Sequence, residues 1–343
     1  MRLDAAEKFA REVLPAVSRT FALSIRVLPG ELGRAVLTAY LLCRIADTLE
    51  DEPVLPAAAK AAFLDELEQC FGDVALADAF PARASAITGD PAHVRLTRHT
   101  DLVFVLYRSL SPATREHVRH WVTEMIVGMR KFVLLYPFGI RIQSVEEYKE
   151  YCYYVAGTVG YLLTDLWHEH ASSISDARYT VLRERCREFA EALQTVNILK
   201  DVATDANKEN SIYVPEELLR IHGNSHATML EPDRIADTRE ALATLVQLAW
   251  HDLDGARSYL LLIPRRAVSI RVFCMMPLLF AYATLRDLTR TPQALVKGEV
   301  VKISRREVKS LTLMGILVIL SNRGLAWLAD RAMRRPFVLT GVR

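Results

Sequence analysis

The stretch Arg44-Ile45-Ala46-Asp47-Thr48-Leu49-Glu50-Asp51 places three carboxylates and one guanidinium within eight residues, directly after an apolar run over 32–42. If this region is helical, steps of four, three and four residues bring one set of side chains onto a single stripe, with Glu50 beside it. That set is Tyr40, Arg44, Asp47 and Asp51. Aspartates four residues apart repel each other on a helix, which indicates a bound cation, and sparse oxygen ligands suit Mg²⁺.

Alone, this acidic cluster is better explained as a solvated helix end before Pro53. A second stretch over 194–205 repeats the pattern, however, with a polar stripe beside the apolar residues Val196, Leu199 and Ala203. The stripe consists of Gln194, Asn197, Asp201 and Asp205. Two such faces, opposed across a helical bundle, would hold Mg²⁺ ions and through them a diphosphate leaving group.

Composition restricts the class of protein. The chain has 343 residues, of which 51% are hydrophobic, and we expect a large buried core. A net charge of +2 argues against nucleic-acid binding. The five scattered cysteines indicate neither a disulfide framework nor a zinc site, and they favour a reducing cytoplasm. The charged first residues exclude a signal peptide, and the apolar run over 311–320 is too short to span a bilayer. We therefore expect a cytoplasmic protein, and peripheral membrane contact stays open.

Further candidates lie outside the acidic stretches. Ser18, Arg19 and Thr20 are interpreted either as a helix cap beside a surface arginine or as donors to a phosphate. In the helical pattern that follows residue 144, Gly157 and Gly160 permit close approach either of a neighbouring helix or of a prenyl chain. The hydroxyl of Tyr154, on the same face as Gly157, would contact a diphosphate or steady a carbocation.

Strand patterns are few, and several long segments have helical periodicity, so the sequence predicts an all-α protein. Residues 81–91, rich in small residues and bounded by prolines, are predicted to form a loop between helices. The sequence contains no dinucleotide-binding, P-loop, zinc-protease or serine-hydrolase motif.

Together these residues resemble the squalene/phytoene synthase family, whose members condense two prenyl diphosphates head to head. Five landmarks appear in family order. Within the family they are more similar to those of squalene synthases than to those of phytoene synthases. They are Ser18-Arg19-Thr20-Phe21, the stretch from Arg44 to Asp51, the run from Tyr151 to Gly157, the stretch from Gln194 to Asp205, and the segment from Phe273 to Pro277.

The resemblance implies an isoprenoid synthase-type helical bundle, a single domain over residues 1–343 with a central cavity flanked by the two acidic motifs. Residues 17–311 carry the resemblance, which makes 312–343 a C-terminal helical extension. The implied reaction joins two molecules of farnesyl diphosphate to presqualene diphosphate and then reduces this intermediate to squalene with NADPH.

The resemblance also implies roles for individual residues. Mg²⁺ would be ligated by Asp47, Glu50, Asp51, Asp201 and Asp205. Catalysis would depend on these aspartates together with Arg44 and Tyr154. Substrate contacts would come from Ser18, Arg19, Thr20, Phe21, Tyr40, Gln194 and Phe273. NADPH would be placed by Asn197, Lys302 and Arg305.

The chain departs from the family pattern at Thr204, where a glutamate is common, and at Ser211 and Ser304, where arginines are expected. These departures leave several outcomes open: squalene, dehydrosqualene, presqualene diphosphate, a phytoene-type condensation of longer donors, or prenyl transfer to another acceptor. A non-catalytic assembly factor is a further alternative, although it gives the acidic residues no role. Chain-length preference and oligomeric state are not determined by the sequence.

Overall fold

The computed structural model describes residues 2–18, 20–291 and 301–339. Within these ranges the protein is all-α, and its only β-type pairing is an isolated parallel bridge between Arg141 and Ile212. In chain order the helices are α1 Arg2–Val17, α2 Thr20–Ile25, α3 Gly30–Glu50, α4 Ala57–Gln69, α5 Val74–Arg83, α6 Pro91–Thr97, α7 Thr100–Ser109, α8 Pro112–Leu135, α9 Val145–Cys152, α10 Thr158–His170, α11 Asp176–Arg183, α12 Cys186–Thr204, α13 Glu216–Ile221, α14 Ile235–Leu262, α15 Val268–Arg290, α16 Arg305–Val318 and α17 Asn322–Arg334.

Three short non-α turns extend or link these helices. A 3₁₀ turn follows α5 over Ala84–Ala86. Two π-turns, in which the backbone bonds span one residue more than in an α-helix, occupy Tyr153–Gly157 and Asp205–Glu209. The first π-turn falls inside the landmark from Tyr151 to Gly157, and the second begins at Asp205, the last residue of the second acidic stretch. Such π-bulges are frequent at functional sites.

The chain forms two compact units. One comprises the described residues of Met1–Ile140 with Tyr161–His170, and the other comprises Arg141–Gly160 with the described residues of Ala171–Arg343. The prediction of one domain over the whole chain stays a prediction, as does the cavity between the acidic motifs.

In the first unit, α3 is the central helix and packs against α1, α4, α6, α7 and α8. Leu41, Leu42, Ile45 and Leu49 on α3 are fully buried, which leaves the polar stripe of the same helix on its half-exposed side. The first acidic motif is therefore carried by the most enclosed helix of the unit.

In the second unit, α12 packs against α14, α15 and the first π-turn. The helix α15 is long and apolar enough to cross a membrane by length and composition, but 83% of that window is buried inside the protein. This burial is typical of a core helix. Its ends are tied by Arg271 and Arg286, two buried guanidiniums that bind backbone carbonyl groups.

Polar residues begin many of the helices, as helix capping predicts. Ser111, Ser144, Ser304 and Ser321 each accept a hydrogen bond from a backbone N–H in the first turn of α8, α9, α16 and α17, respectively. These caps fix where the helices begin.

The loop predicted over residues 81–91 is confirmed only for residues 87–90, because α5 extends to Arg83 and a 3₁₀ turn follows over Ala84–Ala86. Pro81 lies near the end of α5, and Pro91 is the first residue of α6, where a missing N–H costs nothing. Asp90 caps α6 by accepting a hydrogen bond from the N–H of Ala92 at 2.8 Å. The two prolines that suggested irregular structure are therefore compatible with their helices.

Candidate active site

The first acidic motif lies at the C-terminal end of α3, as predicted. The helix ends at Glu50, and the N–H of Asp51 still donates to the carbonyl of Asp47 at 2.9 Å. Asp47 and Asp51 are half-buried, whereas Glu50 is buried and its backbone carbonyl accepts from Lys60 Nζ at 2.9 Å. The two aspartates are thus the more accessible oxygen donors of this motif.

A polar network connects the aspartates to the start of the chain. Arg44 donates to the carboxylate of Asp47 and, at 3.4 Å, to the hydroxyl of Tyr40. That hydroxyl donates to the carbonyl of Val17 at 3.3 Å, and the rings of Tyr40 and Phe21 lie 5.7 Å apart. The carboxylate of Asp47 raises the pKa of Arg44 further above its usual range. The structure therefore brings together four predicted site residues, Phe21, Tyr40, Arg44 and Asp47.

Ser18 and Thr20 lie at the start of α2. The Ser18 hydroxyl accepts a hydrogen bond from the N–H of Phe21 at 3.1 Å, so the helix-cap interpretation is confirmed for this residue. Thr20, the first residue of α2, is half-buried. The predicted role of Arg19 falls on a residue outside the described ranges.

His93 on α6 belongs to the same neighbourhood and was missed from the sequence. Burial lowers its pKa, the positive charge of Arg44 lowers it further, and the backbone of Val17 accepts its hydrogen bond. The imidazole therefore favours its neutral form beside the Arg44–Asp47 pair. Nothing in the local sequence around His93 predicts this proximity, because α6 reaches the site only through tertiary packing.

The second acidic motif occupies the end of α12 and the π-turn after it. Val196, Leu199 and Ala203 are buried as predicted, and Gln194, Asp201 and Asp205 are half-buried while Asn197 is exposed. Lys200 Nζ lies 3.0 Å from the carboxylate of Asp201. Asp205 is the first residue of the π-turn, so the α-helical stripe changes its period at its last member.

Carboxylates crowd each other at this turn. Burial, together with the negative charges of Glu209 and Asp201, raises the pKa of Asp205 to about 8. A nearby cation would remove this penalty, because an opposite charge favours the ionised carboxylate. The donor set at this turn therefore fits a hard cation such as Mg²⁺, which takes one or two carboxylates and completes its shell with water and phosphate oxygens.

No group of three or more His, Cys, Asp and Glu side chains is arranged as a metal site within residues 2–18, 20–291 and 301–339. The protein side chains of each motif therefore do not by themselves form a closed cage. Metal ligation by Asp47, Glu50, Asp51, Asp201 and Asp205 stays a prediction.

Arg141 is a second residue that was missed. Its guanidinium donates to the backbone carbonyl of Asn210 and, at 2.6 Å, to the side-chain oxygen of the same residue. Asn210 ends the second π-turn in the left-handed conformation, with φ of 51°. A guanidinium therefore stands next to Ser211, at whose position an arginine was expected, and it comes from a segment 69 residues earlier in the chain.

The first π-turn carries Tyr154, which is half-buried and in edge contact with Tyr153 at 5.1 Å between ring centroids. The Arg187 guanidinium lies 5.1 Å from the Tyr153 ring. Gly160 lies against the backbone of α12, since a Cβ there would come 2.3 Å from the carbonyl oxygen of Cys186. The helix-contact interpretation of Gly160 is confirmed.

The remaining predicted residues lie on α15 and near α16. Phe273 is buried in α15. Lys302 and Arg305 are exposed cations, so their chemistry suits the phosphate groups of a dinucleotide. Ser304 caps α16, because its hydroxyl accepts from the N–H of Glu307 at 3.1 Å. The departure at Ser304 thus has a structural role.

Comparisons with known proteins support the resemblance. Residues 14–307 match the family model described as squalene/phytoene synthase. A squalene synthase of Schizosaccharomyces pombe is 27% identical over 300 residues, covering 85% of this chain and 63% of that protein. A squalene synthase of Nicotiana benthamiana is 29% identical over 279 residues, covering 81% of this chain and 63% of that protein. The chain therefore spans less than two thirds of the length of these relatives.

Solved structures show the same fold. The complex of TcSQS with the ligand BPH1237 superposes with a TM-score of 0.79 at 23% identity, covering 96% of this chain and 98% of that chain. A dehydrosqualene synthase in complex with a ligand gives a TM-score of 0.64 at 20% identity, with coverage of 96% and 98%. These likenesses identify the all-α isoprenoid synthase fold.

Proposed function

The chain belongs to the squalene/phytoene synthase family, and we propose that it is a Mg²⁺-dependent prenyltransferase that condenses two molecules of farnesyl diphosphate head to head. The observation that carries the proposal is the pair of acidic helix ends. Asp47 and Asp51 at the end of α3, and Asp201 and Asp205 at the end of α12, are half-buried aspartates four residues apart. Such carboxylates are costly without a cation to neutralise them.

Mg²⁺, when bound, supplies positive charge that stabilises a departing diphosphate. The aspartates of each motif would bind Mg²⁺, and Glu50 would support the first motif. Arg44 neutralises Asp47 and carries further N–H groups suited to diphosphate oxygens. Ser18 and Thr20 add hydroxyl donors at the start of α2, and Arg19 is included in this group from the family resemblance.

The aromatic residues would act on the carbocation. Tyr40 and Phe21 form a ring pair beside Arg44, and aromatic faces attract positive charge. Tyr154 on the first π-turn is proposed to assist proton removal or diphosphate departure. Gln194 would contact substrate one turn before Asn197 on α12, and Phe273 would line the hydrocarbon site.

The second step is the reduction of presqualene diphosphate to squalene. We propose that NADPH donates the hydride and that Asn197, Lys302 and Arg305 place it. In support, all three side chains are exposed, and two of them are cations suited to phosphate. The relatives described as squalene synthases favour this outcome, whereas the structural neighbour described as a dehydrosqualene synthase favours release of the unreduced product.

Location in the cytoplasm is part of the proposal. None of the five cysteines, all within the described residues, forms a disulfide. Burial raises the pKa of the Cys70 thiol to about 12 and that of Cys43 to about 12, so neither is a reactive thiolate at neutral pH. Such a set of cysteines suits a reducing compartment.

The first experiment is incubation of the purified protein with farnesyl diphosphate and Mg²⁺, with and without NADPH, followed by extraction of products. Squalene that appears only with NADPH supports both steps. Dehydrosqualene or presqualene diphosphate in both reactions supports condensation and refutes reduction. If farnesyl diphosphate is not consumed, it is not the prenyl donor. Incubation with geranylgeranyl diphosphate then tests the phytoene-type alternative.

Matched variants test the metal motifs. Asp201→Asn should abolish product, because the amide carries no charge to bind Mg²⁺. Asp237→Asn is the control, since this half-exposed aspartate on α14 lies outside both acidic motifs and forms an ion pair with Arg234 at 3.4 Å. Turnover by Asp201→Asn equal to that of Asp237→Asn would remove the second motif from the metal site.

A further inference from the structure

The outward side of α16 carries an uncommon pattern of residues. Its inner side, which includes Ser310, Leu311 and Gly315, is buried against other helices of the second unit, with Gly315 in close contact with Met275 on α15. On the opposite side, Leu313, Ile316 and Leu317 are exposed, and Leu320 is exposed just beyond the end of the helix. We call these four residues the α16 apolar face.

The spacing of the four residues makes the face continuous. They follow one another at steps of three, one and three, so they form a single stripe over the last two turns of the helix. Leu317 is 70% exposed and Leu320 is 57% exposed. Single exposed apolar residues need no explanation, but a contiguous exposed patch marks an interaction site.

Basic residues continue the same stripe toward the start of the helix. Lys309 lies four residues before Leu313, and Arg306 lies seven residues before it, so both share the exposed side. Segment 301–339 contains eight basic and two acidic residues, a net charge of +6 in a chain whose total is +2. Both acidic residues are engaged in ion pairs, Glu307 with Arg286 and Asp330 with Arg257.

We propose that the α16 apolar face docks the protein on the surface of an anionic lipid bilayer. The aliphatic side chains enter the boundary between headgroups and acyl chains, and Arg306 and Lys309 meet the anionic headgroups. Binding of this kind grows with the apolar area buried and with the attraction to anionic lipid. The positive charge disfavours a second copy as the occupant, because a symmetric pairing would place the same cationic segment on both sides of the interface.

Cosedimentation with vesicles tests the proposal without any substrate, so its outcome is independent of the proposed reaction. The intact chain is mixed with phosphatidylcholine vesicles or with vesicles that contain about 30% phosphatidylglycerol. We expect binding to the anionic vesicles that weakens with added salt, and a partition coefficient about tenfold lower for Leu317→Glu. The variant Arg306→Gln/Lys309→Gln should lose the preference for anionic lipid.

Ile221→Glu is the matched control, because Ile221 on α13 is 73% exposed and receives the same charge at a similarly exposed site outside the face. It should bind as the unmodified protein does. Circular dichroism verifies that both glutamate variants are folded, and Ile316→Ser provides a second test of the face.

Three results would overturn the proposal: no binding of the unmodified protein to anionic vesicles, equal binding of Leu317→Glu and Ile221→Glu, or equal binding to both vesicle types. Light scattering after size-exclusion chromatography tests the other possible occupant of the face, a second copy of the chain. A dimer that Leu317→Glu converts to a monomer, without vesicle binding by either, would make the face an interface between copies and refute the lipid assignment.

Discussion

Glu307→Ala should strongly destabilise the C-terminal part of the second unit. Glu307 is 2% exposed, and its two carboxylate oxygens accept from the Arg286 guanidinium at 2.8 and 3.0 Å. The oxygen that is 2.8 Å from Arg286 also accepts from the N–H of Phe337, again at 2.8 Å. One carboxylate therefore ties α16 and the segment after α17 to the end of α15.

The size of the stability loss follows from the buried charge of Arg286, which the substitution leaves without Glu307. Removal of one partner of a buried ion pair costs about 3–5 kcal/mol, since the other charge stays buried. Asp287 still accepts from Arg286 Nε at 2.8 Å, so the lower end of that range applies. The Phe337 N–H loses its acceptor, which adds about 1 kcal/mol. We expect a loss of about 4 kcal/mol in the free energy of unfolding.

Urea unfolding followed by circular dichroism measures this loss, and hydrogen exchange locates it. Exchange should accelerate over residues 305–339 before it accelerates elsewhere. Glu307→Gln retains acceptor capacity, so it should cost less than the alanine variant. Glu240→Ala, at an exposed site on α14, should change stability by less than about 0.5 kcal/mol. A cost below about 1 kcal/mol for Glu307→Ala would refute the argument that this ion pair is closed to water.

Three further predictions concern the second unit and the metal. Gly160→Ala should lower the free energy of unfolding by about 2–3 kcal/mol, because its Cβ would meet the backbone of Cys186. Gly157→Ala should cost less, because the side chains near it can move. Equal costs for the two variants in thermal or urea unfolding would contradict this prediction. Burial raises the pKa of Glu191 to about 7 from 4.5, so the folded state holds a proton that the unfolded state loses, and stability should fall as pH rises from about 4.5 to about 7 by up to about 3 kcal/mol. Glu191→Gln should remove that pH dependence, and an unchanged pH profile of urea midpoints would contradict the assignment. Chelation of Mg²⁺ with EDTA should stop farnesyl consumption and excess Mg²⁺ should restore it, so turnover in the presence of EDTA would exclude the proposed metal dependence.

Sequence periodicity was sufficient to predict the two helices that carry the acidic motifs. The stripe on α3 and the apolar flank of α12 depend on local spacing, because each helix has one side that must be buried. The loop predicted over residues 81–91 was too long, because proline was weighed without its position; only residues 87–90 are non-helical. Asp90 and Pro91 suit the first turn of a helix, and a late proline such as Pro81 was tolerated in α5.

The residues that were missed reach their sites through tertiary packing. His93 approaches Arg44 across 49 positions of sequence, and Arg141 binds Asn210 across 69 positions. Neither lies in a motif, and an isolated histidine or arginine in a sequence is more often a surface residue. Only the packing of α6 against α3, and the bridge between Arg141 and Ile212, identifies them.

The π-turn after α12 explains why the second acidic motif differs from a simple helical stripe. Regular helical spacing places Asp201, Asp205 and Glu209 four residues apart on one stripe, but the predicted motif ended at Asp205. Glu209 ends the π-turn that begins at Asp205, and burial together with the charges of Glu209 and Asp201 raises the pKa of Asp205. Arg141 holds the end of this turn by donating to the backbone carbonyl and the side-chain oxygen of Asn210. Negative charge is thus concentrated at the end of α12, where the family resemblance places a cation.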